Sequence, residues 1–196
     1  MNALPDSFYV RSDVTRIAKD LVGKVLVSTI NGQTTSGLIV ETEAYSYQER
    51  GCHAFNSRMT ERNQVMFGAG GHAYVYLCYG VHHLFNVVTN VPGKAEAVLI
   101  RALQPLTGEP VMMTRMNAVN QSRITSGPGK LTKALGIDRT LNGATLRSSE
   151  LWIEMGEQVP LKSIVVTTRI GIDYAGKDAR LPWRFYWRGN EWISRP

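Results

Sequence analysis

A chain of 196 residues that is 43% hydrophobic and 19% charged lies in the range of one domain with one core, and outside the composition of disordered chains. No apolar run is long enough to cross a bilayer, and Met1-Asn2-Ala3-Leu4-Pro5-Asp6 lacks the basic-then-apolar layout of a secretory leader, so no membrane partner is expected. Two cysteines, Cys52 and Cys78, cannot build a disulfide framework and suit a reducing intracellular setting, while the net charge of +6 leaves nucleic acid, an anionic surface or no specific partner open.

Along the chain, Ser12 reads as an N-cap, with Val14, Ile17, Ala18, Leu21 and Val22 at helical spacing and Gly23 as the stop. Lys24 to Ile30 reads as a strand, Asn31-Gly32 as a hairpin turn, and Gln33 to Tyr45 as its antiparallel return. The glycines at 68, 70 and 71 interrupt the chain before a second β region over residues 73–89, and residues 95–102 form another strand. Gly108-Glu109-Pro110 opens a short helix, Pro128 occupies a first helical position, and Gly136 ends that helix. Residues 163–172 and 184–187 read as closing strands. Hairpins with separated helices, and no repeat or linker, predict one α+β domain over residues 1–196 around a largely antiparallel sheet.

In Leu38-Ile39-Val40-Glu41-Thr42-Glu43-Ala44-Tyr45, strand alternation puts Leu38, Val40, Thr42 and Ala44 on a core face and gathers Glu41, Glu43 and Tyr45 opposite. A carboxylate beside an aromatic on a rigid strand suits activation of water next to a stacked ring; glutamates on the wet side of a half-buried strand would look the same. Two carboxylates on one strand project in one direction, a poor fit to a sugar glycosidase, whose carboxylates flank the bond. Ala73-Tyr74-Val75-Tyr76-Leu77-Cys78-Tyr79-Gly80 alternates tyrosines with aliphatics up to a glycine turn. Its rings suit either stacking on an extruded base or plain core packing, and Tyr79, beside the turn glycine, is the least natural as core.

These stretches occur together with Cys52-His53-Ala54, Thr60-Glu61-Arg62-Asn63, Met66-Phe67-Gly68, Asn86-Val87-Val88, Leu99-Ile100-Arg101-Ala102-Leu103-Gln104-Pro105-Leu106, Ser126-Gly127-Pro128-Gly129-Lys130-Leu131 and Arg184-Phe185-Tyr186. In that order the set resembles the alkyladenine (3-methyladenine) DNA glycosylase family over most of the chain. The resemblance implies a curved antiparallel sheet with surrounding helices and a protruding hairpin. It also implies roles: Glu43 as general base for the attacking water, Tyr45, His53 and Tyr76 around the flipped base, and Tyr79 as a wedge intercalated in the DNA. Asn86 would crowd the exocyclic amino group of guanine, and Arg101 would support the water and the nucleotide phosphate. Phe55-Asn56-Ser57-Arg58-Met59, without a glycine many members carry nearby, and Val81, where a bulkier residue is common, depart from the pattern; both bear on substrate preference.

The implied partner is double-stranded DNA containing damaged purines, met by a monomer in the cytoplasm or nucleoid of a bacterium or the nucleus of a eukaryote. No cofactor is implied. Cys52, His53, His72, Cys78, His82 and His83 fit no zinc ligand spacing, so no metal is expected. Gly127-Pro128-Gly129-Lys130 lacks the spacing and the Ser/Thr of a Walker motif, leaving only an anion contact at a helix start. No lysine falls in the pocket stretches, which predicts hydrolysis without a lyase step. The competing class is a non-catalytic nucleic-acid-binding module, which would use the basic charge and the tyrosines but have no need of Glu43.

Overall fold

A computed structural model describes residues 2–120 and 122–195. Its architecture is α+β, built on an eight-stranded open sheet whose strand pairings are all antiparallel. The strands are β1 (Val25–Ile30), β2 (Gln33–Ser46), β3 (Ala73–Cys78), β4 (His82–Thr89), β5 (Glu96–Thr107), β6 (Leu151–Glu154), β7 (Ile164–Thr167) and β8 (Arg184–Trp187). The order is β3-β4-β5-β2-β1-β6, with β8 pairing β2 and β7. The 14 residues of β2 organise the sheet: its first half pairs with β1, its second half with β8, and β5 pairs along most of its length.

Local chemistry explains the boundaries. The β1–β2 turn has both Asn31 (φ 54°) and Gly32 (φ 73°) in the left-handed region, as a two-residue turn matched to strand twist requires. Helix α1 spans Asp6–Tyr9 and α2 spans Val14–Leu21. The N-cap of α2 is Asp13, not Ser12. Asp13 holds the extended cap conformation, and its carboxylate accepts from the N–H groups of Thr15 (2.9 Å) and Arg16 (3.1 Å), a stronger acceptor than a hydroxyl for a helix's unpaired donors. Gly23 follows at φ 90°, where a Cβ would meet the Glu157 carbonyl oxygen at 2.4 Å. Helices α3 (Glu109–Met116) and α4 (Pro128–Leu135) begin with Pro at the first or second helical position and end on left-handed Asn117 and Gly136.

The main core lies between the sheet and α2 and α4. Ile17, Ala18 and Leu21 from α2, Leu131, Ala134 and Leu135 from α4, and Ile39, Ala44, Val98 and Ile100 from the sheet are all buried there. Each fully buried large aliphatic contributes about 1.5–3 kcal/mol. A second cluster, with Cys52, Ala54, Met66, Tyr74, Val88 and Ala97, underlies the region between β3 and the end of β2.

Two strand expectations need correction. Leu38 and Val40 do not share a face with Thr42 and Ala44. In the β2–β5 ladder Ile39 pairs with Leu103, Glu41 with Ala102 and Thr42 with Ile100, so Val40 and then Arg101 are extra residues in paired bulges. The bulge shifts the alternation by one: Ile39, Thr42 and Ala44 face α2 and the main core, while Leu38 packs near Trp152 and Trp187 and Val40 near Tyr186 and Ile193. The second correction concerns residues 163–172. The strand stops at Thr167, because Arg169 turns inward to a buried carboxylate and Gly171 adopts φ 76°.

Candidate active site

The bulge that breaks the alternation of β2 also brings its two glutamates onto one arginine. Arg101, itself the bulged residue of β5, reaches Glu41 Oε1 with Nε (3.0 Å) and Glu43 Oε2 with Nη1 (3.3 Å). Both glutamates are 0% exposed, so the water-facing alternative does not hold for either. Their hydrogen-bond inventories separate them. Glu41 also accepts from Arg184 Nη1 (2.9 Å) and Ser194 Oγ (2.9 Å) at Oε1 and from the Ser194 N–H (2.6 Å) at Oε2, so that arginines and the C-terminal segment hold it as a structural carboxylate. Glu43 accepts from the Tyr45 hydroxyl at Oε2 (2.7 Å) and the Ile170 N–H at Oε1 (2.8 Å) in addition to its ion pair with Arg101. One lone pair of Glu43 Oε1 therefore has no donor among the described residues.

Tyr45, Arg101 and Ile170 all line a cavity of about 700 Å³, so Glu43 stands directly behind its wall and none of its own atoms lines it. Burial raises the Glu43 pKa above the ordinary glutamate value, and Arg101, the Tyr45 hydroxyl and the Ile170 N–H oppose that shift without cancelling it. The proton of a carboxyl so placed comes off at higher pH than in water, the tuning suited to a general base.

The rest of the cavity is aromatic. Tyr74 and Tyr76 lie two apart on β3 and face the same side, where His53 meets them: the His53 and Tyr76 rings are edge-to-face at 4.7 Å, and His53 Nδ1 is 2.9 Å from the Tyr74 hydroxyl. Both rings line the cavity; Tyr74 is also buried in the second core cluster, so it serves both readings, while Tyr76 is half-buried at the cavity surface. Desolvation first, and the Arg62 charge second, push the His53 pKa down to about 4, leaving a neutral imidazole near pH 7. Asn86 lines the cavity from β4 and donates to the Tyr74 carbonyl oxygen (3.1 Å).

Tyr79 crowns the β3–β4 hairpin. It is 92% exposed and sits at φ 50°, followed by Gly80 at φ 72° and an exposed Val81. A large aromatic in left-handed conformation with almost no contacts is a costly arrangement that core packing does not explain. Of the residues singled out in the sequence, Tyr45, His53, Tyr76, Tyr79, Asn86 and Arg101 line the cavity and Glu43 lies one layer behind.

Several site residues were missed. Asn63, in the quoted Thr60-Glu61-Arg62-Asn63 stretch, is buried and fixes the preceding loop: its Nδ2 donates to the carbonyls of His53 (2.8 Å) and Arg58 (2.9 Å), and its Oδ1 accepts from Thr60 N–H (2.7 Å). Arg62 places its guanidinium 4.8 Å from the Tyr76 ring centroid. The end of the segment read as strand over 163–172, together with Tyr174 beyond it, forms a cavity wall through Ile170, Gly171, Ile172 and Tyr174. Lys130, expected away from the pocket, stands at the cavity wall with Nζ 3.3 Å from the Arg123 carbonyl oxygen. Among the described residues, no three His, Cys, Asp or Glu side chains are grouped to hold a metal ion, and no helix is long and apolar enough to cross a membrane.

The profile of the methylpurine-DNA glycosylase family matches residues 7–191. A protein of Carboxydothermus hydrogenoformans whose assigned name is 3-methyladenine DNA glycosylase is 51% identical, with 98% of each chain covered. Relatives of the same assigned name from Methanocella arvoryzae (48% identical, covering 100% of this chain and 97% of the relative) and Bacillus cereus (44%, covering 97% and 98%) match end to end as well. The chain belongs to the methylpurine-DNA glycosylase family, hydrolases of N-glycosyl bonds in DNA.

Proposed function

We propose that the chain is a monofunctional glycosylase of base excision repair that swings an alkylated or deaminated purine out of duplex DNA into the cavity and hydrolyses its bond to deoxyribose with water activated by Glu43. The observation that carries this reading is one carboxylate, raised in pKa and held by three partners, immediately behind the wall of an aromatic cavity. Extrusion costs a few kcal/mol, least for damaged or mispaired bases, and stacking returns about 1–3 kcal/mol per base. In this reading Tyr45, His53 and Tyr76 supply the stacking and Tyr79 fills the space left in the duplex. Asn86 crowds the amino group of an undamaged guanine.

The chemistry follows from charge. As the C1′–N bond breaks, the sugar becomes oxocarbenium-like, and an anionic Glu43 stabilises it while taking a proton from the water whose oxygen bonds to C1′. Arg101 keeps Glu43 ionised and offers its remaining donors to the water or the phosphate. A purine already cationic through alkylation leaves as a neutral base. A neutral lesion such as hypoxanthine or ethenoadenine needs a proton, and His53, with its pKa near 4, is a poor source of it. In this reading the Tyr45 hydroxyl covers Glu43 Oε2, and the water is taken at the lone pair of Oε1 that no donor occupies among the described residues.

This reading makes damaged-purine duplex DNA the partner of a monomeric enzyme. A non-catalytic binding module would carry the desolvation of Glu43 to no purpose. Incubation with a duplex containing one hypoxanthine, followed by alkali, separates the two: strand breaks at the lesion are expected, and tight binding without breaks would favour the module.

A further inference from the structure

Behind the cavity wall lies a second buried ion pair that the chemistry above does not use. Arg169 reaches Glu49 with both arms of its fork, Nη1 to Oε1 (2.7 Å) and Nη2 to Oε2 (2.8 Å), and the two side chains are 0% and 4% exposed. Burying such a pair gives little net stability against an apolar replacement, so its presence calls for another explanation. Its other contacts supply one. Arg169 Nη1 donates to the Ala44 carbonyl oxygen (2.9 Å), and the guanidinium lies between two rings, 4.8 Å from the Tyr45 centroid and 5.2 Å from that of Trp183. The next residue, Ile170, gives its N–H to Glu43 Oε1 (2.8 Å).

Thus one short segment braces the tripeptide Glu43-Ala44-Tyr45 at three points: the carboxylate, the intervening carbonyl and the ring. Tyr45 lines the cavity and Arg169 does not, so the guanidinium supports the ring from behind. Glu49 also accepts from the Gly51 N–H (2.7 Å), tying the brace to the loop that leads into His53.

We propose that Arg169, oriented by Glu49, is a positioning residue for hydrolysis, presenting the Tyr45 ring to the flipped base and setting the Ile170 N–H against Glu43. This rests on Glu43 being the base. Loss of the brace withdraws one donor from the ionised carboxylate, and misplacement by an ångström near reacting atoms costs up to about 100-fold in rate. The groups facing Glu43 are Tyr45 and Glu41 from β2, Arg101 from β5 and the Ile170 N–H from the 168–172 segment, with Arg184 of β8 and Arg169 beyond them. In Arg169→Lys, which keeps the charge, the Ile170 donor and the Tyr45 orientation change, so the acid limb of the rate profile moves to higher pH, by about one unit for one lost donor; in Glu49→Gln the uncompensated Arg169 charge opposes that shift, and the rate is the readout.

The test is single-turnover base release from a saturating lesion duplex across pH, on full-length Arg169→Lys and Glu49→Gln, alongside thermal melting and affinity for the abasic product duplex. Arg169→Lys keeps the charge but loses the planar fork. Glu49→Gln keeps the arginine but withdraws the carboxylate that orients its fork, and it decides the matter if the lysine variant does not fold. The expected result is a rate loss of about 10- to 100-fold in both variants, an upshifted acid limb in Arg169→Lys, and product affinity within about threefold of wild type. Wild-type rates per folded molecule in both variants, with a wild-type limb in Arg169→Lys, would overturn the proposal. If Glu43→Gln were itself active, the underlying reading would fail; if it were inactive while both brace variants kept the wild-type profile, only the brace would.

Discussion

Replacing Tyr79 with glycine is expected to stabilise the protein and to impair it at once. Tyr79 holds φ 50° at the tip of the β3–β4 hairpin and is 92% exposed, so it gains almost nothing from packing. A side chain in left-handed backbone costs about 1–2 kcal/mol, whereas glycine adopts that region freely. Against this, glycine loses about 0.5–1 kcal/mol more in chain entropy on folding. The difference leaves Tyr79→Gly more stable by about 0.5–1 kcal/mol, an upward shift of about 1–4 °C in Tm for a chain of this size. The same change removes the ring that would occupy the emptied stack, worth about 1–3 kcal/mol, or roughly 5- to 150-fold in the extrusion equilibrium. Calorimetry reads the first effect, and the fluorescence of 2-aminopurine placed beside the lesion reads the second. A variant with unchanged fluorescence and base release would refute the wedge role, and a fall in Tm would show that the ring packs against the protein after all.

Other expectations concern the cavity itself. Asn63→Ala removes three buried hydrogen bonds that fix the His53 loop and should cost about 2–3 kcal/mol, lowering Tm by roughly 5–10 °C and weakening lesion binding; a melting point within a degree of wild type would contradict the bracing role. Because the raised pKa belongs to a base that must be ionised, excision of a cationic lesion should fall as pH drops through that value, with a limb above the ordinary glutamate range; a flat rate down to the ordinary value would exclude Glu43 as the titrating base. The same shift has an opposite sign for stability. A carboxyl whose folded pKa is raised stabilises the fold at low pH and loses that contribution as pH rises, so Glu43→Gln should not melt below wild type at neutral pH. Lys130 stands at the cavity wall, yet borohydride should trap no covalent adduct with the lesion duplex; an adduct lost in Lys130→Ala would convert the enzyme from a hydrolase into a lyase.

The elements easiest to read in the sequence were those fixed by local chemistry. Asn31-Gly32 dictates its turn by needing two positive φ values, and Pro128 and Gly136 delimit α4 by what each cannot do elsewhere. The cavity residues Tyr45, His53, Tyr76, Asn86 and Arg101 were legible because they sit in distinctive stretches, and Tyr79 because a tyrosine beside a turn glycine has few structural uses. The phase of β2 was not legible: the bulges at Val40 and Arg101 arise from pairing between strands some 60 residues apart, and a single strand carries no sign of them. Nor was the brace, since Glu49 and Arg169 are 120 positions apart and an isolated arginine in an apparent strand looks like surface charge. Asn63 lay in a stretch already singled out, and a buried-side asparagine just ahead of a turn was the signal available.

The most direct measurement is single-turnover release of a damaged purine by Glu43→Gln, with its affinity for the lesion duplex determined in parallel. The amide keeps the shape of the side chain and can still accept from Ile170, but it cannot take a proton from water. The variant should bind the lesion as wild type does and release base at least about 100-fold more slowly. Turnover near the wild-type rate would contradict the account.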